Sequence, residues 1–171
     1  KYSVNFGALH ANIAYFNGYG TGTYNVQVFD VNNCAAQDII IITEPDELDV
    51  TITTSEWNSY QIKCFGEASG FANISVNGGM PPYLKTVLDN NGVAVFSSSN
   101  SSVTGLTAGT YTFVIMDANN CTYTETIIYN EPPAITHNFI ANHVSCSGWN
   151  NGSLTDIVSG GVGTATIYSY T

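Results

Sequence analysis

Arginine is absent from this chain, and lysine occurs only three times against thirteen carboxylates, for a formal net charge of −10. That balance argues against nucleic acid as a partner, because a phosphate backbone is bound through cationic side chains. It argues equally against docking on an anionic membrane surface. Charged residues make up 9% of the chain, against roughly 25% in ordinary globular proteins, so Asn, Ser, Thr and Gly carry the solubility. No apolar run approaches the ~18 residues that cross a bilayer as a helix, and Ile39 to Ile42 reads as a buried strand. Membrane insertion is not expected. No CxxC pair is present, which argues against zinc. The three histidines, His10, His137 and His143, are scattered, and no Ser or Cys stands in a nucleophile motif. No catalytic residue is assigned, and the chain is not expected to be an enzyme.

An internal repeat dominates what is present. Residues 105–132 contain Gly109-Thr-Tyr111, Asp117-Ala-Asn-Asn-Cys121 and Glu131-Pro132. Residues 18–45 contain Gly22-Thr-Tyr24, Asp30-Val-Asn-Asn-Cys34 and Glu44-Pro45. Every matched pair is separated by 87 positions (121 − 34). A constant offset across a turn, a Cys and a Pro marks a tandem architecture. Each copy reads as a β-hairpin, since Asp and Asn side chains accept hydrogen bonds from backbone two residues on. Tyr24, Val26 and Val28 alternate with polar residues at the period of a half-buried strand, and Tyr111, Phe113 and Ile115 hold the same phase.

A second match runs from Cys64 to Gly79 and from Cys146 to Gly161, at an offset of 82 (146 − 64), so about five residues are missing from the later copy. Asp156 falls where Ile74 sits, an inward position, and a bulge is expected there. Residues 1–17 read as two short strands around a Gly7 turn. No segment has helical periodicity. Short strands with turns every 8–12 residues predict an all-β chain of tandem immunoglobulin-like sandwiches of about 85 residues. The expected organisation is 1–45 as the C-terminal part of one repeat, 46–132 as a complete repeat, and 133–171 as the N-terminal part of the next. On this phase the chain is a piece of something longer.

Cys64-x-Gly66, Gly78-Gly79-x-Pro-Pro-Tyr83, Leu106-x-x-Gly-Thr-Tyr111, Asp117-x-Asn-Asn-Cys121 and Glu131-Pro132-Pro133 together resemble the SprB-type repeat of the giant cell-surface adhesins of gliding bacteria. The resemblance covers nearly the whole chain. It implies export by the type IX route and display on the outer surface of a Gram-negative bacterium. It also implies a filament that is carried along the cell, with the cell-surface motility machinery as a partner through the parent protein. It supplies no catalytic residues.

Candidate structural and binding residues follow. Cys34, Cys64, Cys121 and Cys146 recur at fixed places, which suits structural disulfides in an oxidising space. Pairing of Cys64 with Cys121 needs Cα atoms within about 7 Å, yet a seven-strand path puts those turns at opposite ends. Pairing of Cys34 with Cys64 and of Cys121 with Cys146 would staple neighbours across the linker. Pairing with a copy outside this chain is the third case. Tyr24 and Tyr111 fit tyrosine corners. Asp30, Asn32, Asp117 and Asn119 read as Asx turns and double as calcium candidates; diffuse divalent binding at domain junctions is the other case, and no other cofactor is expected. Trp149, in a Gly/Asn-rich loop, is the candidate exposed aromatic.

The expected function is a structural stalk and adhesion segment of a secreted filament. Its partners would be neighbouring repeats and an external surface or polysaccharide. The alternatives are a ligand-specific module for glycan or protein, and an accessory domain of a secreted hydrolase.

Overall fold

The computed structural model describes residues 2–4 and 17–162. The chain is all-β, with twelve strands among the described residues. These are β1 (Tyr2–Val4), β2 (Gly22–Phe29), β3 (Ala35–Ile42), β4 (Asp49–Thr54), β5 (Gly70–Asn77) and β6 (Leu84–Leu88). Then come β7 (Ala94–Ser98), β8 (Ser102–Leu106), β9 (Gly109–Met116), β10 (Thr122–Tyr129), β11 (Thr136–Asn142) and β12 (Ser153–Ser159). Contacts gather the chain into two compact units, Lys1–Asp46 and Glu47–Thr171. The Gly7 turn, the second strand expected before residue 17, His10 and everything after Val162 lie outside the described residues.

The second unit holds a seven-strand β-sandwich. One sheet has the order β4-β5-β8 and the other β10-β9-β6-β7. The two share one core. Val50, Ala72, Ile74, Val103 and Leu106 come from the first sheet, and Val87, Tyr111, Phe113, Ile115 and Tyr129 from the second. Alternation builds this directly: along β9, Tyr111, Phe113 and Ile115 are buried while the intervening residues are not. Each fully buried Phe or Ile removes enough apolar surface from water to contribute about 1.5–3 kcal/mol. Ile62 is fully buried although it lies in the β4–β5 connection, where it plugs the end of the sandwich. Ser97 and Ser98 complete β7.

Hydrogen bonds fix which loops share an end. Met80 N–H donates to Asp117 Oδ2 at 2.9 Å, so the β5–β6 connection and the β9–β10 turn lie together. The start of β4 joins them, because Asp49 pairs with Asn77. At the other end Gln61 and Ile62 donate to Asn130 O, and Gly66 N–H donates to the Glu131 carboxylate at 2.6 Å. The chain therefore enters this sandwich at one end and leaves at the other.

The repeated segments fold alike. In the first unit β1, β2 and β3 form a sheet in that order, and β2–β3 pairs from Gly22↔Ile42 to Phe29↔Ala35. The β9–β10 pair runs from Gly109↔Tyr129 to Met116↔Thr122, the same register shifted by the repeat offset. Likewise β11–β12 pairs Thr136↔Ser159 as β4–β5 pairs Asp49↔Asn77. The bulge expected at Asp156 is not found. The β11–β12 ladder is continuous through Phe139↔Asp156, and the Asp156 side chain, 7% exposed, faces His137 Nδ1 at 3.9 Å. A nearby imidazole lets a carboxylate stand where the earlier copy has isoleucine.

Candidate functional site

The two Asp-x-Asn-Asn-Cys turns are the most defined polar sites. Asp30 Oδ1 accepts from Asn32 N–H and Cys34 N–H, both at 2.8 Å. Asp117 Oδ1 accepts from Asn119 at 2.9 Å and Cys121 at 2.8 Å. Asn33 and Asn120 take the left-handed conformation, with φ of 66° and 64°, which Asn tolerates better than most residues. The turns differ in one respect. Asp117 is 3% exposed, and its second oxygen holds Met80 N–H. That N–H is the main cause of a carboxyl pKa below its ordinary value, with burial opposing and the N–H groups of Cys121 and Asn119 assisting. Three of the oxygens' acceptor sites thus face protein donors. Among the described residues no three His, Cys, Asp or Glu side chains converge as a metal site.

The Gly78-Gly79-Met-Pro-Pro-Tyr83 connection is explained by the same contact. Gly78 and Gly79 take φ of 66° and 59°, and an added Cβ on Gly79 would stand 3.0 Å from Asp117 Oδ2 and from Leu48 Cδ1. Only glycine brings this backbone close enough for Asp117 to grip Met80. Tyr83 closes the loop by donating to Gly78 O at 2.7 Å.

The tyrosine corners differ between copies. Tyr24 donates its hydroxyl to Gly20 O, four residues upstream, at 2.9 Å. Tyr111 shares a 3.2 Å hydrogen bond with the Thr107 hydroxyl, not with backbone as expected. Its ring meets Tyr129 edge-on at 5.5 Å. Burial, and then the neighbouring Tyr111, push the Tyr129 phenol up to about 12, and its hydroxyl donates to Phe71 O at 3.1 Å.

All four cysteines are exposed free thiols. Cys64 sits at the end defined by Asn130 and Glu131, and Cys121 at the end defined by Met80, so the eight-residue strands β9 and β10 separate them by roughly 25 Å. Among the described residues the strand after the linker, β11, pairs with β12 and not with β10, so Cys121 and Cys146 are not brought together either. Trp149 is 58% exposed, while Trp57 meets Phe71 edge-on at 6.1 Å. His137 Nδ1 lies 3.9 Å from Asp156 Oδ1.

Sequence reasoning missed a cleft of about 490 Å³ lined by Thr51, Thr53, Asn73, Ser75, Tyr83 and Lys85 together with the apolar Ile74 and Val76, among others. Lys85 is 5% exposed, and its Nζ donates to Ser99 O and Ser101 Oγ. The signal was available: Lys85 shares the inward phase of Val87 on β6. Compared with known proteins, the chain matches no family model, no curated protein and no solved structure.

Proposed function

We propose that this chain is a tandem-repeat segment of a secreted, cell-surface adhesin filament of a Gram-negative bacterium, with a structural stalk and adhesion role in gliding motility. The observation that carries the reading is the repetition of β9–β10 by β2–β3, with register, turn bonds and Tyr position all shifted by one constant offset. In this reading the seven strands form an immunoglobulin-like sandwich whose fourth strand has joined the four-stranded sheet. Entry and exit at opposite ends support a stalk. Tension runs along the strands and loads the first and last of them, β4 and β10, in shear. Glu-Pro linkers restrict the backbone between copies, and the net negative charge keeps copies from collapsing on one another. Many weak contacts along such a filament add up as avidity.

Antibody raised against this chain should label intact source cells and arrest their movement over a surface. Label that appears only after permeabilisation overturns the reading.

The second reading is a ligand-binding module, favoured by the hydroxyl-rich cleft around Lys85. An acidic polysaccharide suits an ammonium group ringed by hydroxyls and an amide. Loss of polysaccharide binding in Lys85→Met, with folding retained, would favour it over a purely mechanical role.

A further inference from the structure

Below the sandwich, Cys64 and Phe65 share a cleft of about 440 Å³ with Pro132 to Ile135 and with Gly161 and Val162. Its far wall belongs to the following copy. Gly161 N–H donates to Pro133 O at 2.9 Å, which ties that wall to the linker. Gly161 and Val162 occupy the repeat positions of Gly79 and Met80. The match is structural as well as sequential: Gly161 has φ of 74° against 59° at Gly79. An added Cβ would meet Ile135 at 3.2 Å, as at Gly79 it meets Leu48.

In the complete copy Met80 has a fixed neighbour. The Asp117 carboxylate holds Met80 N–H on one oxygen and Cys121 N–H on the other. Cys121 is therefore one carboxylate away from Met80. A following copy carried through to its own Asp-x-Asn-Asn-Cys turn places the turn cysteine one carboxylate away from Val162, at the wall that faces Cys64. We propose that the cysteines of this protein pair between successive copies, the β4–β5 loop cysteine of one with the β9–β10 turn cysteine of the next. Each copy then carries one thiol for the junction at either end. Cys34, Cys64, Cys121 and Cys146 form no disulfide with one another, as this pairing requires. The bond forms by thiol–disulfide exchange. Two thiols lose two protons and two electrons, and a small-molecule disulfide takes them up as two thiols.

The inference rests on the tandem-repeat reading, and the test separates the two. The full chain is continued after Thr171 with a second copy of residues 90–132, the phase set by the shorter offset. It is equilibrated in oxidised and reduced glutathione and mapped without reduction. The expected result is one cross-linked peptide pair joining Cys64 to the added turn cysteine, while the unextended chain keeps four alkylatable thiols. A folded added copy, seen as its own cooperative unfolding transition, with both cysteines free or with the added cysteine bound to Cys146, overturns the pairing and leaves the repeats standing. An added copy that does not fold overturns the repeat reading and the pairing with it. Val162→Cys in the chain as it stands is the second variant. It should cross-link to Cys64 in the same buffer, because a disulfide needs Cα atoms within about 7 Å. Failure to do so means the cleft is too wide and also overturns the pairing.

Discussion

The hairpins β2–β3 and β9–β10 have one register, one turn and one tyrosine position, and differ in what covers them. Inward residues of the second are buried: Ile115 and Tyr129 are 0% and 1% exposed. Their counterparts Val28 and Ile42 are 40% and 36% exposed. Outward residues hardly differ, with Ile41 at 67% and Ile128 at 59%. The hairpin is thus a local product of turn chemistry and alternation, whereas burial of its inner face comes from the sheet β4-β5-β8 lying against it.

The largest effect should come from removing an inner-face side chain that has this cover. Phe113→Ala should cost about 3–5 kcal/mol, read from urea unfolding by Trp57 fluorescence. Val28→Ala should leave that transition where it is, and an equal loss from both would break the comparison. Next, Gly70→Ala drives a Cβ to 2.7 Å from Leu106 O and 2.8 Å from Ile62 Cδ1, an overpacking worth about 1–3 kcal/mol. Gly152→Ala, its counterpart, meets Asn142 O at 3.2 Å and should cost less.

Smaller effects sharpen the contrast by pH. The Tyr129 phenol is raised in the folded state, so the stability it contributes is complete below pH 10 and is lost as pH rises through about 12. Tyr129→Phe should shift the alkaline unfolding limb upward, measured by unfolding at fixed denaturant across that range. Asp117 has the opposite sign. Its pKa is lowered on folding, so its contribution is present above the ordinary carboxylate value of 3.8 and drains away as pH falls through the depressed one. Asp117→Asn should flatten the acid limb. The smallest effect should come from Tyr111→Phe, which removes one hydroxyl contact to Thr107 at about 0.5–1.5 kcal/mol.

What could be read in the sequence follows the same division. The turns at Asp30 and Asp117 were legible because every bond on Oδ1 lies within four residues. The contact from Asp117 Oδ2 to Met80 was not, since it spans 37 positions. Strands with clean alternation, such as β9, announced their buried side. Lys85 shares the phase of Val87, but a charge at an inward position becomes tolerable only once Ser99 and Ser101 come round to satisfy it. The cysteines failed for a topological reason. Their recurrence was visible, but which end of the sandwich each occupies depends on the whole strand path. Asp156 is a similar case, since His137, nineteen positions away, comes opposite it only through the pairing of β11 with β12.

A unit whose chain enters at one end and leaves at the other can be inserted in a row without rerouting anything beside it. In the proposed tandem array, whole-copy duplication or deletion would keep every core intact and remake only one junction. The reach of such an array would then be adjustable in steps of one sandwich.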